Sequence, residues 1–156
     1  MSVLIRSMQL DDLDEVLSIA ASLPQAPQWP RSGYETALET ATTGRRVALV
    51  AKSASGEVAG FAVLSMVPPE AELESIGVTA QFQRQGIARA LLAYMYGECL
   101  AHGCTELILE VRASNEAAQA LYREAGFRTE GLRPGYYSFP TEDALLFRRE
   151  LVSLEK

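Results

Sequence analysis

Glu74-Ser75-Ile76-Gly77-Val78-Thr79-Ala80-Gln81-Phe82-Gln83-Arg84-Gln85-Gly86-Ile87-Ala88-Arg89-Ala90-Leu91-Leu92 reads as a strand that feeds a short loop and then a helix opening with Gly86 and Ala88. The first turn of a helix carries unpaired N–H groups and roughly half a positive charge, so it accepts an anion without dedicated side chains. Two small residues let a ligand approach that main chain, and Arg84 and Arg89 add charge at its edge. No acid lies between Glu74 and Glu98, a local positive patch in a chain of net charge −6. The segment predicts a cradle for paired phosphates. Read by itself, it also fits a tight strand-to-helix turn with two solvated arginines.

A second stretch runs from Leu107-Ile108-Leu109-Glu110-Val111-Arg112-Ala113-Ser114-Asn115 into Glu116-Ala117-Ala118-Gln119-Ala120-Leu121-Tyr122-Arg123-Glu124-Ala125-Gly126-Phe127. Asn115 and Tyr122 are separated by two helical turns, so they project from one face roughly 10 Å apart, enough for a slender linear ligand. Glu110 shares its strand face with Ile108, where partial burial suits a proton acceptor. The bland alternatives are a solvated glutamate beside Arg112, a helix N-cap for Asn115, and a core aromatic for Tyr122.

Outward from these stretches, Ser2 to Ser7 predicts a first strand. A helix starting at Asp11 or Asp12 follows, with Leu13, Val16, Leu17 and Ala20 as its apolar stripe. Pro24, Pro27 and Pro30 mark a loop around Trp29, followed by a shorter helix from Ser32 to Thr42. Arg46 to Lys52 and Glu57 to Val67 form a hairpin across Ser53-Ala54-Ser55-Gly56, and Glu72 to Val78 is the next strand, with a bulge expected at Gly77. Helices from Gly86 to His102 and from Ser114 or Asn115 to Gly126 flank a strand from Thr105 to Arg112, and strands from Phe127 to Tyr137 and Glu142 to Leu151 close the chain. The order β-α-α-β-β-β-α-β-α-β-β predicts an α/β fold, a mixed α+β sheet with helices on its faces and only the middle helices acting as parallel crossovers. The length of 156 residues, without a linker or repeat, predicts one domain over 1–156.

The reactive side chains exclude other chemistries. One histidine and two cysteines cannot build a four-ligand zinc site, so no metal is expected. Neither Lys52 nor Lys156 follows a phosphate-loop glycine turn, and the sole imidazole, His102, sits at a helix end rather than in a serine triad. Net charge −6 argues against nucleic acid or anionic lipid as a partner. No apolar run reaches the roughly 18 residues needed to span a membrane, and the start lacks a signal-peptide core. Two free cysteines, Cys99 and Cys104, fit a reducing compartment, so the cytoplasm is expected.

Together the two stretches resemble the GNAT superfamily of N-acetyltransferases. Its Arg/Gln-x-x-Gly-x-Gly/Ala signature is matched by Gln83-Arg84-Gln85-Gly86-Ile87-Ala88, and its asparagine-to-tyrosine helix by Asn115 to Phe127. Leu109-Glu110-Val111-Arg112-Ala113-Ser114-Asn115, Ala120-Leu121-Tyr122, Tyr136-Tyr137, Glu142-Asp143-Ala144 and Trp29-Pro30 are similar to the RimI-type ribosomal-protein alanine N-acetyltransferases. The resemblance implies transfer of an acetyl group from acetyl-CoA to a protein N-terminus, with Glu110 as general base and Tyr122 as general acid. It also implies pairing of Ile76, Gly77 and Val78 with the pantetheine arm. The diphosphate would be held by Arg84, Gln85, Gly86, Ile87, Ala88 and Arg89, and Asn115 would contact the cofactor. Glu72 and Glu74 stand as alternative bases, since some members use a carboxylate on that earlier strand. The chain departs from the family at Gly77, at Pro134-Gly135 and in the triple-proline loop, all where an acceptor would be shaped. A small amine or a lysine as acceptor, or a non-catalytic acyl-CoA-binding module, are the competing readings, and a monomer or homodimer is expected.

Overall fold

The computed structural model describes residues 3–138 and 141–151. Seven strands form one mixed sheet: β1 Leu4–Ser7, β2 Arg46–Lys52, β3 Val58–Val67, β4 Glu70–Val78, β5 Glu106–Arg112, β6 Arg128–Tyr137 and β7 Glu142–Glu150. Four α-helices accompany it, α1 Leu13–Ser22, α2 Arg31–Ala41, α3 Ile87–Ala101 and α4 Glu116–Glu124. The spatial order is β1-β2-β3-β4-β5-β7-β6. The chain therefore folds as the predicted mixed α/β architecture. Ser2, placed in the first strand by the sequence, lies outside the described residues.

Alternation along the strands divides the core between two faces. Leu49, Ala51, Leu64, Leu73, Leu107, Leu109 and Phe147 point to α3 and α4, where they meet Leu91, Leu92, Met95 and Tyr122. Ala48, Val50, Phe61 and Val63 point to α1 and α2, against Leu13, Val16, Ile19, Tyr34 and Ala37. The stripe of α1 thus includes Ile19, while Leu17 is only partly covered. No helix among the described residues is long and apolar enough to cross a membrane.

The feature that matters for a ligand is where the sheet parts. α3 is a crossover between β4 and β5, which run parallel and pair only through Glu70, Ala71 and Glu72 opposite Glu106, Leu107 and Ile108. Beyond Glu72 the two strands make no ladder with each other, while β4 stays paired to β3 as far as Val78 and β5 stays paired to β7 as far as Arg112. A gap opens between two strands that are each held firmly on the other side.

The bulge that the sequence assigned to Gly77 lies instead at Glu74. Val63 pairs with Ser75 and Leu64 with Leu73, leaving Glu74 as the extra residue, whereas Gly77 sits in register opposite Phe61. Glycine at 77 has a packing reason: an added Cβ would stand 2.8 Å from Phe61 Cε1 and 3.0 Å from Leu23 Cδ1. Phe61 is wholly buried and cannot yield freely. Gly77→Ala is therefore expected to destabilise the fold by about 1–3 kcal/mol, measured by urea denaturation.

Candidate active site

The gap between β4 and β5 opens into a cavity of about 1280 Å³. Its lining comes from both faces of the sheet: Phe82, Ile87, Leu121 and Tyr122 on the side of α3 and α4, and Ser75, Gly77, Glu110 and Arg112 on the other. One cavity therefore passes through the sheet. Of the residues singled out from sequence, Ile76, Gly77, Val78, Arg84, Gly86, Ile87, Ala88, Arg89, Glu110, Asn115 and Tyr122 all line it. Gln85 does not; its side-chain amide turns back to Gln81 O at 3.3 Å. Gln83, the first position of the motif, likewise ties the loop by donating to Val78 O at 3.0 Å.

At one mouth, Gly86 caps α3 with φ of +82°, a left-handed conformation that glycine adopts without strain, and Arg84 precedes it at φ of +64°. No side chain caps this helix. Among the described residues the main-chain N–H groups from Arg84 to Arg89 donate no hydrogen bond to protein, the next N–H, that of Ala90, being the first to find an acceptor, at Gly86 O. Such a run of unpaired donors at the positive end of a 15-residue helix fits a phosphate group. α4 differs: Asn115 Oδ1 accepts from Ala118 N at 3.2 Å, so this residue is the N-cap of its helix as well as a cavity residue.

At the other mouth stand the carboxylates. Glu110 is half-buried; its Oε1 lies 3.9 Å from Arg133 Nη1, and its Oε2 is buried with no hydrogen-bond partner among the described residues. An acceptor atom without a donor inside a protein is costly unless a ligand or water supplies one. Glu74 is the opposite case. Arg46 binds both its oxygens, through Nε at 2.8 Å and Nη2 at 2.9 Å. Glu72, next along β4, does not line the cavity; burial first, then the charges of Glu74 and Glu110, push its carboxyl above the usual range.

Tyr122 lies across the gap from this group. Its ring packs edge-on against Phe127 and Phe147, with centroids 5.6 Å and 6.2 Å away. Burial, with minor additions from Tyr137 and Tyr96, drives its phenol well above the ordinary tyrosine range, so it stays protonated at any physiological pH. Tyr137 faces the same space. Burial and the nearby Glu110 push it up to about 12, and its ring lies 4.3 Å beneath the Arg112 guanidinium.

Two segments wall the carboxylate side: the proline loop from Leu23 to Gln28, which the sequence marked as a departure from the family, and Tyr136 to Ser138, which includes the tyrosine pair it marked as a resemblance. The loop is pinned by a residue that sequence reading missed. Gln28 Nε2 donates to Ala20 O, Leu23 O and Ala26 O at 2.8, 3.1 and 3.0 Å. A lone glutamine in a loop carries no pattern by which to anticipate this.

Residues 11–127 match the acetyltransferase (GNAT) family model. The chain belongs to that family. Among GNAT relatives, the Escherichia coli K12 [ribosomal protein bS18]-alanine N-acetyltransferase is 46% identical over 89 residues, 57% of this chain and 59% of that protein. The aligned stretch thus spans about three-fifths of that relative's length. A Bacillus subtilis relative is 31% identical over 142 residues, 91% of each chain. The GNAT fold of the Escherichia coli ribosomal-protein-S18-alanine N-acetyltransferase crystal structure superposes with a TM-score of 0.83 at 31% identity, covering 97% of this chain and 96% of that one.

Proposed function

We propose that this protein transfers an acetyl group from acetyl-CoA to the N-terminal α-amino group of a protein. One observation carries the reading: a single cavity crosses the sheet, with a row of unpaired N–H groups at one mouth and a carboxylate whose buried oxygen lacks a donor at the other. Two substrates of opposite chemistry meet end to end in such a passage. The fit to acetyl-CoA rests on the uncapped start of α3, on Arg84 and Arg89, and on the side of β4 that faces β5 from Ile76 to Val78, which no strand pairs and which suits an amide-bearing arm. Asn115, Gly86, Ile87 and Ala88 complete that side.

When bound, acetyl-CoA supplies an activated thioester. Glu110 takes the proton of the incoming amine, directly or through a water, because it lines the cavity with no hydrogen bond on its Oε2, while Glu74 is tied down by Arg46 and Glu72 lies off the passage. A main-chain N–H between Ile76 and Val78 stabilises the negative charge that develops on the carbonyl oxygen. Tyr122 donates a hydrogen bond to the departing sulfur. Its raised phenol makes complete proton transfer to a thiolate more uphill than an unperturbed tyrosine would, so the donated hydrogen bond is the larger part of its role.

An α-amine asks less of this base than a lysine does. With reference pKa values near 7.8 and 10.4, the former is roughly 14% free at pH 7 and the latter about 0.04%, a difference of about 3.5 kcal/mol. Similarity to the Escherichia coli [ribosomal protein bS18]-alanine N-acetyltransferase points to an alanine-starting ribosomal protein as acceptor. The experiment is incubation with acetyl-CoA and a peptide array that varies the first residue, read by mass. Acetylation of the terminus, led by alanine, is expected; modification of lysine side chains alone would overturn the acceptor.

A further inference from the structure

Resting on the reading of the α3 mouth as a diphosphate site, we propose that Glu124 occupies Arg89 in the free protein and is displaced by the phosphates, so that this acid modestly weakens nucleotide binding. Arg89 Nη2 donates to Glu124 Oε2, joining the first turn of α3 to the last residue of α4. Arg89 lines the cavity and Glu124 does not, so the acid reaches over the rim to the one arginine on the first turn of α3.

Two features make the contact more than an incidental surface pair. Arg84 and Arg89 both line the cavity where the N–H groups stand unpaired, and Glu124 is the acid that pairs with Arg89, whereas Glu57 reaches the same loop only through Gln81 Nε2. Glu124 also ends α4, where the negative end of the helix dipole disfavours a carboxylate. Arg89 supplies the compensation. A diphosphate that takes Arg89 must break this pair and leave Glu124 against its own helix end, so part of the binding free energy is spent on exchange. The side chains are 53% and 65% exposed, which limits the effect to a modest one that salt screens.

Calorimetric titration with CoA of the wild type, Glu124→Gln, Arg89→Gln and the double variant tests this. At about 20 mM salt Glu124→Gln is expected to bind CoA about two- to fivefold more tightly than wild type, with the gain shrinking near 0.5 M salt. In the Arg89→Gln background the same substitution is expected to change nothing, because its partner is gone. Unchanged or weaker binding by Glu124→Gln overturns the proposal, as does an equal gain without Arg89. A wild type that takes up no CoA overturns the diphosphate reading itself, and this proposal with it.

Discussion

Glu110→Gln is expected to lower kcat by about 10²- to 10⁴-fold while CoA affinity stays within about twofold of wild type. The amide keeps the size of the side chain and removes its capacity to take a proton, together with a charge that lies 3.9 Å from the exposed Arg133 guanidinium and is worth little there. Because the buried Oε2 makes no hydrogen bond among the described residues, the substitution breaks none there, and the melting temperature should hold. The control is Glu74→Gln. That change strips Arg46 of a bidentate partner and leaves a half-buried guanidinium short of its charge, so it should cost stability. It should also leave the pH–rate profile in place. If instead Glu74→Gln removes the profile and Glu110→Gln retains near-wild-type turnover, the base lies on β4.

Tyr122→Phe is expected to reduce kcat by about 10²-fold or more with no loss of thermal stability. The ring makes the packing, through its edge contacts with Phe127 and Phe147, and phenylalanine retains those contacts. What disappears is one hydroxyl that has no hydrogen-bond partner among the described protein residues, so the loss falls on the reaction rather than on the fold. A combined fall in stability and turnover would mark the tyrosine as a packing residue, and an unchanged rate would remove it from the mechanism.

The architecture was legible because its strands and helices carry strong periodicity. Arg46 to Lys52 was bounded residue for residue, and Gly86 marked the start of α3 through a backbone angle that only the chain's local chemistry imposes. The uncapped mouth at α3 could be read for the same reason, since unpaired N–H groups belong to any uncapped helix start. What escaped was tertiary. The bulge went to Gly77 because glycine tolerates unusual angles, but the space there is closed by Phe61 and Leu23, and the register slips at Glu74 instead. The sequence held Glu72, Glu74 and Glu110 as rival bases; the pairing that sets Glu74 apart comes from Arg46, 28 residues away, and nothing local announces it. Gln85 sits in the motif yet turns away from the cavity, because a consensus position fixes a backbone path and not the direction of each side chain.

The most direct measurement is a crystal structure of the protein with acetyl-CoA. The diphosphate should lie within hydrogen-bond distance of the N–H groups between Arg84 and Arg89, and the thioester should enter the gap between β4 and β5, opening towards Glu110. A nucleotide bound elsewhere on the surface, or β4 and β5 zipped together past Glu72 with the passage closed, would contradict the account.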